Sequence, residues 1–409
     1  MDNTQKQIIY MLSAAIRKKN VKFKNDEKIN WNDVIEEAEA HKVTPLIYSS
    51  INRSEALNIM DEITLNTLKK KVFKSSITQS SHIKNVASIL EKFNNAGIPI
   101  MVLKGLVVRD YYPIPDLRTM CDADVLVHEK DLEKVSALMI SLGFNQIKEK
   151  NDHGAHIVFY KGSTVFEVHW TLINDRFFKG DKSFEDRLWD NTMEVEVGGV
   201  KALSLSLEDL AVHLCTHMAV HIAYSGFGVR QLTDLVVLVE KKGSEIDWSS
   251  FVSKTKESGV YKFSMAIFAI CNKLFDMEIP EVIKKEKKLK DKYINQLIED
   301  IFASGVHGKK DKDRVFANEF AFDQGEGAAD GSSSIIKKFI KLLFPPISQM
   351  SDKYNYAKKF IILAPIAWIH HLIEGVLNKD YSFGSKMKMA TSTVSVANKR
   401  NKLLRELEL

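Results

Sequence analysis

Cysteine is scarce in this chain. Its three thiols, Cys121, Cys215 and Cys271, are spread over 409 residues and form no CxxC pair. Neither a disulfide framework nor a thiolate zinc site is therefore indicated. Neither sign of charge dominates: 58 Lys and Arg stand against 53 Asp and Glu, for a net charge of +5. That excess is too weak to argue for nucleic acid, and no long Lys/Arg stripe concentrates it. A polyanionic small ligand would satisfy it as well. Long hydrophobic runs are missing too. The longest, Phe360 to Ile369, is interrupted by Pro365, closed by His370-His371 and too short to span a bilayer. The first twenty residues have no basic segment ahead of their apolar stretch, so no secretory leader is expected and the cytoplasm is the expected location. No internal repeat is visible.

What is present is the balance of a globular protein, 45% hydrophobic and 27% charged, with length for two or three domains' worth of core. Residues 1–80 read as a helical N-terminal region. Within it Trp31, Val34, Ile35 and Ala38 recur at helical spacing behind Asn30, a suitable N-cap. A long helix from about Ser80 to Asn95 ends at Gly97 and is followed by Pro99. The texture then changes. Ile98 to Leu103 (IPIMVL) is a short continuous apolar run, the signature of a buried strand, closed by Lys104-Gly105 and a short helix from Leu106 to Tyr112. Pro113 and Pro115 make a loop. Asp122 to Val127 (DADVLV) reads as a second strand, and Asp131 opens a helix that reaches Leu142. His156 to Tyr160 and Thr164 to Trp170 form a hairpin across Lys161-Gly162-Ser163.

These elements predict a compact α/β core with a mixed sheet at 81–200. Beyond Leu203 the pattern is helical again. Ser206 caps a helix from Leu207 to about Ile222, with Asp209 supporting it, and another helix runs from about Val229 to Lys241. A helical domain is expected at 201–323, a flexible linker at 324–334 (QGEGAADGSSS) and a C-terminal helical region at 335–409. The amphipathic IIKKFIKLLF that follows the linker is expected to pack on its own protein rather than on a membrane surface.

The chemistry concentrates on three carboxylates. Residues i and i+2 of a strand project to one face, so Asp122 and Asp124 stand side by side. Two such charges near a core repel unless a cation compensates them, and hard oxygen donors suit magnesium. Glu167, between Phe166 and Val168 on another strand, has no packing reason to be charged. If the two strands are neighbours, all three carboxylates converge on a site for two metal ions, able to activate an attacking hydroxyl and stabilise a leaving pyrophosphate. Lys104-Gly105 offers charge and close backbone approach to phosphates, and Arg118 offers a planar guanidinium fork. Each element alone has a plainer reading: a DxD occurs at many strand ends, and Lys-Gly after a strand is commonly only a turn.

The stretch LKGLVVRDYYPIPDLRTMCDADVLVHEKDLEKVSALMISLGF, followed by FEVHW, resembles the uncharacterised nucleotidyltransferase family within the DNA polymerase beta-like superfamily. The motif falls on Lys104, Gly105, Tyr112, Pro113, Pro115, Arg118, Asp122, Asp124, Glu167, His169 and Trp170. The resemblance extends into the flanks, through WNDVIEEAEAHKVTPLIYSSI, LEDLAVHLCTHMAVH, RQLTDL and a late FPP. It implies an α+β nucleotidyltransferase (polymerase beta-like) mixed-sheet core flanked by mainly helical N- and C-terminal regions. It also implies an enzyme that moves a nucleoside monophosphate from NTP to an acceptor with release of pyrophosphate. Two departures from the wider superfamily stand out. The usual Gly-Ser of the phosphate turn is Lys-Gly here, and the third carboxylate is Glu rather than the commoner Asp.

His213, His217 and His221 repeat every four residues along one helical face. A zinc site, a wall of the substrate pocket and plain structural histidines are the three readings. His169 shares a strand face with Glu167 as a supporting partner or acceptor-side base. Arg230 and Asp234, four apart, read first as an intrahelical ion pair and second as pocket residues. The expected assignment is therefore Asp122, Asp124 and Glu167 as metal ligands and catalytic groups. Lys104, Gly105 and Arg118 are expected on the triphosphate, with His169, His217, His221, Arg230 and Asp234 on the acceptor side. The cofactor is Mg2+, with Mn2+ as its substitute, the nucleotide is ATP, and the acceptor is a small molecule, a peptide or a protein. The rival reading is a non-catalytic nucleotide-binding module, or a partner protein, that retains the fold.

Overall fold

The computed structural model of the chain describes residues 1–23, 29–51, 59–147, 156–172, 183–287, 289–306, 344–347, 350, 352–377 and 399–409. Residues 1–310 with 406–409 pack as one compact unit and 311–405 as a second.

The larger unit begins with helices α1 (Asn3–Ala15), α2 (Trp31–Ala40), α3 (Thr44–Ser49) and α4 (Glu62–Asn95). Asn30 caps α2 as expected, its side chain accepting from the Asp33 backbone. The α/β portion follows: β1 (Met101–Val102), α5 (Gly105–Val108), β2 (Asp122–Leu126), α6 (Leu132–Ser141), β3 (Asn145–Ile147), β4 (His156–Lys161), β5 (Thr164–His169), α7 (Ser183–Asp190), β6 (Thr192–Val197) and β7 (Val200–Leu205). Helices α8 (Leu207–Tyr224), α9 (Val229–Lys242), α10 (Trp248–Glu257), α11 (Tyr261–Phe275), α12 (Glu281–Lys284) and α13 (Asp291–Ser304) complete it. Ser206 caps α8, accepting from the Asp209 N–H at 3.2 Å.

The seven strands form one mixed sheet in the order β3-β4-β5-β2-β1-β7-β6. β2 runs parallel to β5 and antiparallel to β1, and β1 runs parallel to β7. The α+β class with a mixed sheet is thus the one expected, but the sheet is larger. The β6–β7 hairpin has no counterpart among the expected elements, and β7 lies beside β1, one strand in from the sheet edge. Its turn is Gly198-Gly199, both at positive φ (59° and 84°), the geometry that favours glycine in a two-residue hairpin. A Cβ at Gly198 would also lie 2.9 Å from the Ala87 Cβ of α4.

Helix α4 covers one sheet face. Phe93 stacks on Phe166 with centroids 6.4 Å apart, and Asn85 donates to the Thr164 hydroxyl at 3.1 Å. β5 alternates accordingly: Thr164, Phe166 and Val168 are buried under α4, while Val165, Glu167 and His169 face the other way, half-buried. The boundary expected at residue 80 falls inside α4. Its first half, EITLNTLKKKVFKSSITQS, has too few apolar positions for that length to be read from periodicity.

In the smaller unit, helices α14 (Asn355–Lys359) and α15 (Ala364–Leu377) pack around Tyr354, Ala357 and Ala367, and Trp368 donates to the Pro345 carbonyl at 2.9 Å. The expected linker 324–334 and the amphipathic segment up to residue 343 lie outside the described residues. Among the described residues no helix is long and apolar enough to cross a membrane.

A buried polar cross-link ties the α/β portion to α9. Arg118 Nε and Nη2 donate to Asp234 Oδ1 and Oδ2 at 3.1 and 2.6 Å, and the Tyr112 hydroxyl donates to Oδ1 at 2.8 Å. Both charged side chains are almost fully buried, 5% and 3% exposed. Asp234→Ala leaves the guanidinium buried without its counter-ion and is expected to lower unfolding free energy by about 3–5 kcal/mol. Urea unfolding reads this as an earlier midpoint. Glu194→Ala, which breaks the solvent-exposed pair with Lys201, leaves the midpoint unmoved. Equal effects of the two substitutions would contradict the assignment.

Candidate active site

Because β2 and β5 are adjacent and parallel, Asp124 lies directly across from Glu167, and Asp122 across from Val165. Paired positions on neighbouring strands project to the same face. Asp122, Asp124, Glu167 and His169 therefore share the face of the sheet that α4 leaves uncovered. Ligand atoms of Asp124, Glu167 and His169 all lie within 4.8 Å of one another. Asp122 holds the half-buried end of β2, and His82 of α4 hydrogen-bonds its backbone.

The site has its own cation. Lys104 Nζ sits 2.7 Å from Asp124 Oδ1, and His169 Nε2 lies 3.2 Å from the same oxygen and 3.8 Å from Glu167 Oε2. Burial raises the Asp124 carboxyl, but the Lys104 ammonium and the His169 hydrogen bond outweigh it. Asp124 is held well below the ordinary carboxylate range. Glu167 goes the other way. Burial first, then the charges of Asp124 and Asp122, push it up to about 8 against the counteracting Lys104. Negative charge on this face thus exceeds what Lys104 compensates. Two carboxylates and an imidazole within ligand reach are a donor set that fits Mg2+ or, with its nitrogen, Mn2+.

A histidine wall stands opposite. Burial pushes His213 down to about 3, and Lys104 and His169 add to it. His217 is also well below the usual imidazole range through burial, Lys104 and His221. His213 and His217 are therefore neutral at physiological pH, and the influence of Lys104 and Asp124 on both puts these two side chains near the carboxylates. His217 and His221 bring their Nε2 atoms 3.0 Å apart, whereas His213 Nε2 is buried without a hydrogen-bond partner. Among the described residues, the three α8 histidines do not come within ligand distance of one another as a metal-holding group.

Three expected roles change in the structure. The Arg118 fork is occupied by Asp234, so it is not open to a phosphate. The same contact replaces the intrahelical Arg230–Asp234 pair: Arg230 Nη1 instead donates to the Thr119 carbonyl at 2.8 Å, and its Nε has no partner. Gly105 owes its small size to Arg118 rather than to a ligand, because a Cβ there would run into the guanidinium and into Met120 Sδ at 2.8 Å. The turn before it is strained, with Lys104 at φ 43° and ψ −115°. Positive φ is uncommon for a residue with a side chain, and such strain concentrates at functional sites.

Two residues at the site were missed in the sequence. The His156 ring lies 5.0 Å from that of His169, tilted by 38°, and His82 lies 7% exposed beside Asp122 with Nε2 unpartnered. For His156 a signal existed: the tight turn pairs Lys161 with Thr164, which sets His156 across from His169. For His82 no local signal does so, because only tertiary packing brings α4 under β2.

Comparison with known proteins gives a family match. The family model described as "Uncharacterised nucleotidyltransferase" matches residues 27–276. No curated protein sequence matches the chain significantly. Among solved structures, the solution structure of the antibiotic-resistance factor ANT(2'')-Ia is 12% identical, with a TM-score of 0.33 over 44% of this chain and 92% of that one. The crystal structure of ANT(2'')-Ia with adenylyl-2''-tobramycin gives 12% identity and 0.31 over 42% and 98%. An antigenic nucleotidyltransferase-like protein from Paracoccidioides brasiliensis gives 13% and 0.29 over 49% and 94%.

The electrostatics of Glu167 have a consequence for stability. Held at about 8 when folded, against an ordinary value of 4.5, the carboxyl keeps a proton that the unfolded chain has already released. Stability is therefore lost as pH rises from about 4.5 to about 8. Glu167→Gln removes that loss. In chelator-containing buffer it is expected to melt above the wild type at pH 8, with the gap closing near pH 4. A gap independent of pH in scanning calorimetry would contradict this account.

Proposed function

Since the chain belongs to the uncharacterised nucleotidyltransferase family, we propose that it transfers the nucleoside monophosphate of magnesium-bound ATP to a hydroxyl of a small-molecule, peptide or protein acceptor. The observation that carries this reading is the convergence of Asp124, Glu167 and His169 donors on one sheet face, beside Asp122 and the Lys104 ammonium. Asp122, Asp124 and Glu167 would hold the metal, with His169 as a further donor. When bound, the metal supplies charge neutralisation of the triphosphate and polarisation of the phosphoryl group under attack.

The remaining chemistry belongs to the chain. Lys104 donates to non-bridging phosphate oxygens. The acceptor hydroxyl forms a bond to the α-phosphorus, the bond from that phosphorus to the bridging oxygen breaks, and pyrophosphate leaves. The hydroxyl proton passes to the carboxylate of Glu167, whose Oε2 lies 3.8 Å from His169 Nε2. Arg118 and Asp234 act as positioning residues: they fix the loop before β2 and so the direction of Asp122. The α8 face with His217 and His221, together with Arg230, borders the acceptor side.

A second reading, a nucleotide-binding module without transferase activity, draws on the same Lys104–Asp124 pair, because an ammonium seated on that oxygen offsets part of the site's negative charge without metal. Calorimetry separates the two. Titration of ATP, GTP, CTP and UTP with Mg2+ is expected to show binding of ATP that requires metal and disappears in Asp122→Asn/Asp124→Asn. Binding indifferent to metal and to the double substitution would favour the non-catalytic module. No binding of any nucleotide, with Mg2+ or Mn2+, would remove both readings.

A further inference from the structure

Resting on the metal-and-triphosphate reading above, we infer that Lys104 is a resident counter-ion of the carboxylate site that must leave Asp124 before a divalent cation can bind there, which makes metal binding conditional on the triphosphate. The lysine and the metal compete for one atom. Lys104 Nζ lies 2.7 Å from Asp124 Oδ1, with only 11% of the lysine side chain and 10% of the aspartate side chain exposed. His169 Nε2 occupies a second direction on the same oxygen. An ammonium and a divalent cation on that oxygen repel each other, and burial leaves little water to screen them.

Lys104 is the side chain built to move. Its backbone neighbourhood is anchored, since the Leu103 N–H donates to the Asp124 carbonyl at 3.0 Å and the Val108 N–H to the Lys104 carbonyl at 2.9 Å. The ammonium, by contrast, rides on a four-carbon stem with three rotatable donors. The neighbouring guanidinium groups do not have that freedom. Arg118 is held through two of its three nitrogens by Asp234, Arg109 is paired with Asp110 and Asp116, and Arg230 is tied to the Thr119 carbonyl.

An ammonium that leaves Asp124 needs another anion, because a buried unpaired charge is costly. The triphosphate oxygens supply one within reach of the same strained turn. Nucleotide binding therefore releases Asp124 as it draws Lys104 away, and metal and nucleotide strengthen each other beyond their direct chelation. By linkage the coupling is reciprocal. The arrangement also keeps the nucleotide-free carboxylates from capturing stray cations.

The test is a Mn2+ titration of the full chain followed by electron paramagnetic resonance, with and without an ATP analogue bridged by methylene between its α and β phosphorus atoms. Lys104→Met, Lys104→Gln and Asp124→Asn are compared with wild type, and near-ultraviolet circular dichroism checks that each is folded. Without nucleotide, Lys104→Met and Lys104→Gln are expected to bind Mn2+ at least about tenfold more tightly than wild type. The enhancement that the analogue gives wild type is expected to fall by a similar factor in both. Asp124→Asn is expected to abolish the tight site. Unchanged or weaker Mn2+ binding in both lysine variants, with Asp124→Asn still abolishing it, would overturn the role of Lys104 and leave the carboxylate site standing. Mn2+ binding indifferent to Asp124→Asn would overturn the site itself.

Discussion

Strands β2 and β5 are paired so that Asp124 faces Glu167 across a parallel ladder, and carboxylates at facing positions repel. A sheet keeps such a register only where other interactions outweigh the repulsion. Here the opposite face supplies them, through Ala123, Val125, Phe166 and Val168, all completely buried. A slip of one residue would turn those apolar side chains out of the core and the carboxylates into it. The hydrophobic face therefore sets the position of the charged one, and the remaining strain is relieved locally by Lys104 and His169. Charge concentrated at a loss of stability is the mark of a site built for a ligand, because the ligand supplies what the fold withholds.

Around that pair the supporting shell is rigid where aim matters and loose where exchange matters. Arg118, Tyr112 and Asp234 lock the loop preceding β2 onto α9, and Gln79 exchanges two hydrogen bonds with the Met120 backbone, at 2.9 and 2.8 Å. The start of β2 is thereby fixed from two helices. Lys104 carries its ammonium on a flexible stem, held by the single Asp124 carboxylate oxygen. The contrast between Arg118, a planar fork satisfied at both ends of a carboxylate, and Lys104, a point charge on a flexible stem, divides the two cations of the motif into one that positions and one that exchanges.

The charged face was legible in the sequence because it follows a period of two: DADVLV and TVFEVH alternate in a way that only a strand with a polar face explains. The helix caps Asn30 and Ser206 were legible for a similar reason, since capping is chemistry within three residues. What could not be read is what depends on distance along the chain. Arg118 and Asp234 are separated by 116 residues, and nothing near either announces the pairing. Local reading therefore assigned the arginine to a phosphate and the aspartate to Arg230. The β6–β7 hairpin had a local signal, MEVEV and VKALSL across Gly198-Gly199, which the helical pattern after it obscured. The family relationship supports nucleotidyl transfer, whereas no motif in the sequence encodes the acceptor.

Asp122, Asp124 and Glu167 are proposed to form a metal-dependent nucleotide site. Crystals grown with Mn2+ and the methylene-bridged ATP analogue, measured at a wavelength where manganese scatters anomalously, test it most directly. The account predicts an anomalous peak bounded by the Asp122, Asp124 and Glu167 carboxylates, with the triphosphate beside it and Lys104 Nζ turned from Asp124 to a phosphate oxygen. Nucleotide bound elsewhere, or no anomalous peak at these carboxylates, would contradict it.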